Sequence, residues 1–95
     1  MANYIVLMKF TEQGIKTVKE SPNRAETFKK ACEGLGVRLA GVYWTVGAYD
    51  IVGVVDGPDE GVTAALLKLG SAGNVTTQTL RAYGADEFKA ILRNV

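Results

Sequence analysis

No histidine occurs anywhere in the 95 residues. That absence removes Ser-His and Cys-His nucleophilic catalysis, histidine-ligated haem and most zinc sites. The single cysteine, Cys32, cannot close an intramolecular disulfide. It falls in an apolar helical stripe and reads as a small buried hydrophobe, with a reducing cytoplasm as the expected compartment. Charge of one sign is also lacking: 11 basic and 10 acidic residues leave +1, dispersed along the chain. A nucleic-acid partner, which calls for a basic patch, is therefore not expected. No stretch approaches the ~20 apolar residues of a membrane span. The opening MANYIVLMKF has no basic leader and carries Lys9 inside its apolar run, so no secretory signal and no membrane partner are expected. Glycine is frequent at 11 residues, yet no GxGxxG or P-loop pattern follows a strand, and nucleotide phosphates lack their usual cradle. Acids gather only at Asp56, Asp59 and Glu60, where a helix start explains them. No metal site and no cofactor is expected.

What is present is the composition of an ordinary globular chain, 47% apolar and 22% charged, sized for one domain over residues 1–95. Asn3 to Phe10 is nearly continuous in apolar character, as a central strand is. Residues 11–20 are polar and read as a loop with one helical turn. Ser21 as N-cap and Pro22 at the first helical position open a helix. Ala25, Phe28, Cys32 and Leu35 share its inner stripe. Gly34 and Gly36 end it. Gly57-Pro58-Asp59-Glu60 opens a second helix with Val62, Ala65, Leu66 and Leu69 inward. Asn74 to Tyr83 is a threonine-rich edge strand. Asp86 caps a short terminal helix whose Phe88, Ile91 and Leu92 can dock on the body.

Between the helices, Val37 to Asp56 reads as a β-hairpin closed by the two-residue turn Gly47-Ala48. Its pairing sorts side chains onto two faces. Ala40, Val42, Trp44, Val46, Tyr49, Ile51 and Val55 form an apolar face, with Trp44 expected buried against helices. Leu39, Tyr43, Thr45, Asp50, Val52, Val54 and Asp56 form the other. The order β-α-β-β-α-β plus a C-terminal helix predicts an α+β, ferredoxin-like antiparallel sheet with both main helices on one face. The second hairpin face then lies open, with Leu39, Val52 and Val54 as an apolar patch of the kind that marks an interface. A second copy of the chain is the expected cover, making a homodimer or higher homo-oligomer.

The run Thr45-Val-Gly47-Ala-Tyr49-Asp50 resembles the signature of the GYD-domain family, small and mostly bacterial proteins usually described as of unknown function. The resemblance extends to Thr11-Glu-Gln-Gly14-Ile15-Lys16, Ser21-Pro22-Asn-Arg24-Ala25, Tyr43 through Asp50, and Asn74 through Ala82 with its Thr79-Leu80-Arg81-Ala82. It departs at Asp56-Gly57-Pro58-Asp59, where the family has an acidic-Ala-Pro-Asp run. It implies a dimeric α/β-barrel type of fold and an oligomer, and supplies no established activity.

One constellation is a candidate ligand site: Tyr43, Thr45 and Asp50 on the open hairpin face, with Thr77, Thr79 and Arg81 on the same face of the last strand. Arg81 would clamp an anion, and Asp50 would orient a ligand or accept a proton. The bland alternative is that both bond to turns or pair across a subunit interface. Three functions follow: an oligomer binding a small ligand between paired sheets, a cofactor-independent isomerase or oxygenase working in the barrel interior, or a structural, partner-binding module.

Overall fold

Strand β1 (Ala2–Phe10) takes the centre of the sheet, as its continuous apolar run requires. The structure is a computed structural model that describes residues 2–95. After β1 come α1 (Glu12–Lys16), a 3₁₀ turn (Val18–Glu20) and α2 (Ser21–Gly34). Then follow β2 (Arg38–Trp44), β3 (Ile51–Gly57), α3 (Asp59–Ser71), β4 (Val75–Ala82) and α4 (Ala85–Leu92). The four strands run in the order β2-β3-β1-β4, every pairing antiparallel. This is the expected α+β, ferredoxin-like arrangement.

One sheet face carries the core. Val6 and Met8 of β1, Ile51 and Val55 of β3 and Val75 of β4 are buried against Phe28 and Cys32 of α2 and Val62 and Ala65 of α3. Pro22 sits in the first turn of α2, and Asp59 and Glu60 in that of α3, where carboxylates complement the exposed N–H groups. Ser21 does not cap α2. The 3₁₀ turn runs directly into the helix, and the Ser21 hydroxyl, buried, accepts instead from Trp44 Nε1 at 2.9 Å. Cys32 is fully buried, and burial pushes its thiol pKa up.

The hairpin departs from expectation at both ends. Tyr43–Val52 and Trp44–Ile51 pair as predicted, but between Leu39 and Gly41 the register slips by one residue, leaving Ala40 as a bulge. Leu39 therefore lies opposite Val55, on the helix side, and packs against the core. Arg38 moves to the open face, where it pairs with Asp56 at 3.0 Å. At the other end the chain leaves the ladder at Trp44 and returns at Ile51, so the connection is a wide loop over residues 45–50.

Trp44 is on the helix side, as predicted, yet 47% exposed. The terminal helix starts at Ala85 with Gly84, not Asp86, as its cap residue. Its Phe88, Ile91 and Leu92 are 52%, 38% and 49% exposed and do not dock on the body. The radius of gyration of 14.2 Å agrees with α4 standing away from it, since a compact chain of this length has about 12 Å.

Candidate functional site

The loop over residues 45–50 is an anchor. Asp50 Oδ2 accepts from the Phe10 backbone N–H at 2.8 Å, and the Asp50 N–H donates to the Met8 carbonyl at 2.9 Å. Thr45 N–H donates to the Asp50 carbonyl at 2.8 Å, and its hydroxyl donates to the Tyr49 carbonyl at 2.6 Å. Gly47 turns the chain at φ 130°, a conformation that L side chains rarely adopt. Tyr49 then reaches past β1: its hydroxyl donates to Gln78 of β4 at 2.9 Å, and Lys9 Nζ lies 5.4 Å from its ring centre. Thr45 still closes the hairpin onto Tyr49 and Asp50, while the side chains of Asp50 and Tyr49 tie the loop sideways to β1 and β4. The carboxylate and hydroxyl of this motif hold backbone together.

The register separates the predicted site residues. Pairing places Tyr4, Val6, Met8 and Phe10 opposite Arg81, Thr79, Thr77 and Val75. Residues directly opposite one another share a face, so Thr77, Thr79 and Arg81 project on the helix side. Tyr43, opposite Val52, projects on the open side. Thr45 and Asp50 lie in the loop at the far end of β1. Met8, opposite Ile51, and Tyr4, opposite Arg81, are four positions apart, about 13 Å along the strand. Asp50 and Arg81 thus do not flank one ligand space. The sequence could not assign Arg81 to a face, because β4 alternates threonine with Gln78 and Leu80 and has no purely apolar side.

Arg81 belongs to a different cluster, at the start of β1. Its guanidinium lies 4.3 Å from the Tyr83 ring centre and 5.6 Å from that of Tyr4, and donates to the Asn3 carbonyl at 3.2 Å. The Tyr4 hydroxyl donates to the Asp59 carboxylate. That hydrogen bond, with smaller contributions from burial and the Asp59 charge, holds the phenol pKa above its ordinary 10.0.

On the open side the strands bring together Ile5 and Leu7 of β1, Val52 and Val54 of β3, Tyr43 of β2 and Leu80 of β4. The first four are half-buried by their neighbours in the sheet; Tyr43 and Leu80 are 64% and 42% exposed. α2 and α3 both cover the other face. Asn3, on the open side, donates through Nδ2 to Glu87 of α4 at 3.1 Å, so the exposed apolar stripe of α4 begins beside this patch. Val52 and Val54 were legible from the hairpin alternation; Ile5, Leu7 and Leu80 needed the register of β1 against both neighbours.

A GYD-domain family model matches residues 4–92. The chain belongs to the GYD-domain family. This GYD domain is 36% identical to the glutamine synthetase and cystathionine beta-lyase binding protein of Thermus thermophilus, over 98% of this chain and all of that protein. It is also similar to a crystal structure of a Thermus thermophilus protein, with a TM-score of 0.54 and 26% identity over 90% of this chain and 96% of the other. The run from Thr45 to Asp50, inside the matched span, is the loop anchor described above. No described helix of the GYD domain is long and apolar enough to cross a membrane.

The residues that the sequence reading passed over lie on the helix side. Where α2 and α3 part, above the ends of β1 and β4, a half-enclosed groove of about 510 Å³ opens beside Trp44. Phe28, Val42, Ile51 and Leu69, each placed by the sequence on the inner side of its own element, line it together with Val75 of β4. Small residues in its lining, Ala25 and Ala31 of α2 and Ala72 just after α3, leave the space.

Proposed function

We propose that this GYD domain is a non-catalytic binding module that associates through its open sheet face, first with a second copy of itself. The observation that carries this reading is the apolar face of Ile5, Leu7, Val52, Val54, Leu80 and Tyr43, continued by the exposed stripe of α4. Leaving it in water costs about 25 cal/mol for each Å² of apolar surface, and a two-fold pairing of the same face removes that cost symmetrically. The carboxylates near this face support binding over acid–base chemistry, since Asp50 is bonded to backbone and Asp56 to Arg38. A small ligand held between paired sheets would meet Tyr43, Lys9 and Gln78, with Thr79 and Arg81 on the far side of the sheet.

Sedimentation equilibrium at tens of micromolar tests the reading. Wild type should run at a multiple of 10.2 kDa, and Val52→Asp or Val54→Asp should return it to monomer with helical circular dichroism retained. A wild-type monomer, or an oligomer indifferent to both substitutions, would overturn it.

The name of the Thermus relative favours a second reading, in which the same module docks on metabolic enzymes. Glutamine synthetase and cystathionine β-lyase, presented in turn to immobilised wild type, should bind saturably. Binding to neither rejects this second reading and leaves self-association standing on its own test.

A further inference from the structure

The groove on the helix side is a surface separate from the apolar sheet face, and its chemistry is different. Its floor and walls are apolar, formed by Met8 and Ile51 of the sheet, Phe28 of α2, Leu69 of α3 and the Trp44 ring. Two cations, Arg24 and Lys68, stand among its lining residues, and no carboxylate does. Arg24 is held in place: its guanidinium donates to the carbonyls of Thr17 and Gly14 at 3.0 and 3.2 Å and to the Thr17 hydroxyl at 3.0 Å, all neutral acceptors. Among the described residues the ion pairs are Lys16–Glu12 and Arg38–Asp56, and neither involves Arg24 or Lys68. The Trp44 indole is fixed by its bond to the buried Ser21 hydroxyl, which keeps one wall preformed.

We infer that the groove binds a small organic carboxylate with an apolar body, its hydrocarbon or aromatic part against Phe28, Trp44 and Leu69 and its carboxylate toward Arg24 and Lys68. Three features support this. A volume of about 510 Å³ lies within the roughly 300–1,000 Å³ of small-molecule sites. The lining is the usual one of apolar walls with few polar groups. The charge among its lining residues is of one sign, and a carboxylate is its complement. The groove faces away from the open sheet surface, so a face-to-face oligomer leaves one groove open in each copy and binding does not depend on association.

The experiment uses 4-phenylbutyrate against its neutral isostere 4-phenylbutanamide, followed through the single tryptophan, Trp44, and through amide chemical shifts. The acid should bind saturably and about tenfold more tightly than the amide. Lys68→Gln, a substitution at an exposed position, should cut that preference at least about threefold while Arg24 retains the remainder. Ala72→Phe at the groove mouth should weaken both probes, with Ala31→Phe as a second filling variant. Val52→Asp should bind the acid as wild type does, which separates this site from the sheet face. Equal affinity for acid and amide would overturn the inference. So would a preference unchanged in Lys68→Gln, shifts that cluster on Ile5, Leu7 and Val54, or the absence of saturable binding up to about 10 mM.

Discussion

Asp50, a candidate from the sequence, and Tyr4, which the sequence did not single out, both engage their polar groups in bonds within the protein. The Tyr4 phenol is shared with Asp59, which raises its pKa above 10.0 in the folded chain. Because the folded value exceeds the unfolded one, the bond contributes its full stability below the unfolded pKa. That contribution is lost as pH climbs past 10 through the folded value. Tyr4→Phe should thus cost stability at pH 8 and leave a shallower alkaline decline than wild type has. Urea melts between pH 8 and about 11 check this, and parallel declines in the two proteins would reject it. Trp44 teaches a related lesson. Strand alternation places its ring on the helix side, but its depth depends on how far α2 and α3 stand apart, and they part beside it.

At the scale of elements, two local features redirect what periodicity alone predicts. The bulge at Ala40 adds one residue to β2, and since side chains alternate with period two, everything before it changes sides. Leu39 enters the core and Arg38 reaches Asp56 for that reason. The second feature is the seat of α1. Thr11 N–H donates to the Asn74 carbonyl at 3.0 Å, and the Thr11 hydroxyl caps the Gly14 N–H at 3.0 Å while donating to the Gly73 carbonyl at 2.6 Å. A Cβ on Gly14 would stand 1.9 Å from the Asn74 carbonyl oxygen, so α1 rests on the entry to β4 only because residue 14 is glycine. Gly14→Ala should destabilise by about 1–3 kcal/mol, the range of overpacked sites, seen as a lower denaturation midpoint. A midpoint unchanged from wild type would show that α1 is free to lift away.

For the whole molecule the issue is how a sheet with helices on one side keeps its other side from water. If the open face pairs with a second copy, folding and association are linked, and the melting temperature must rise with protein concentration. Calorimetry across a hundredfold dilution series should show that rise in wild type and not in Val52→Asp. A concentration-independent melt in wild type would place the open face in solvent. The exposed stripe of α4, tethered through Asn3 and Glu87, lies at the margin of the same surface.

The residue pattern alone determined the strand and helix order, the central place of β1, the burial of Cys32 and the existence of an open sheet face carrying Val52 and Val54. These follow from periodicity and turn chemistry, which act over a few residues at a time. The family motif was equally legible in Thr45 through Asp50. Only the tertiary structure decided the faces of Leu39, Thr79 and Arg81, the wide anchoring loop in place of a tight turn, and the groove beside Trp44. Each of these depends on where a second element lies. A one-residue slip exchanges the faces of a strand, a carboxylate bonds to whichever backbone N–H a neighbouring strand presents, and a void exists only between elements that a linear pattern cannot set apart.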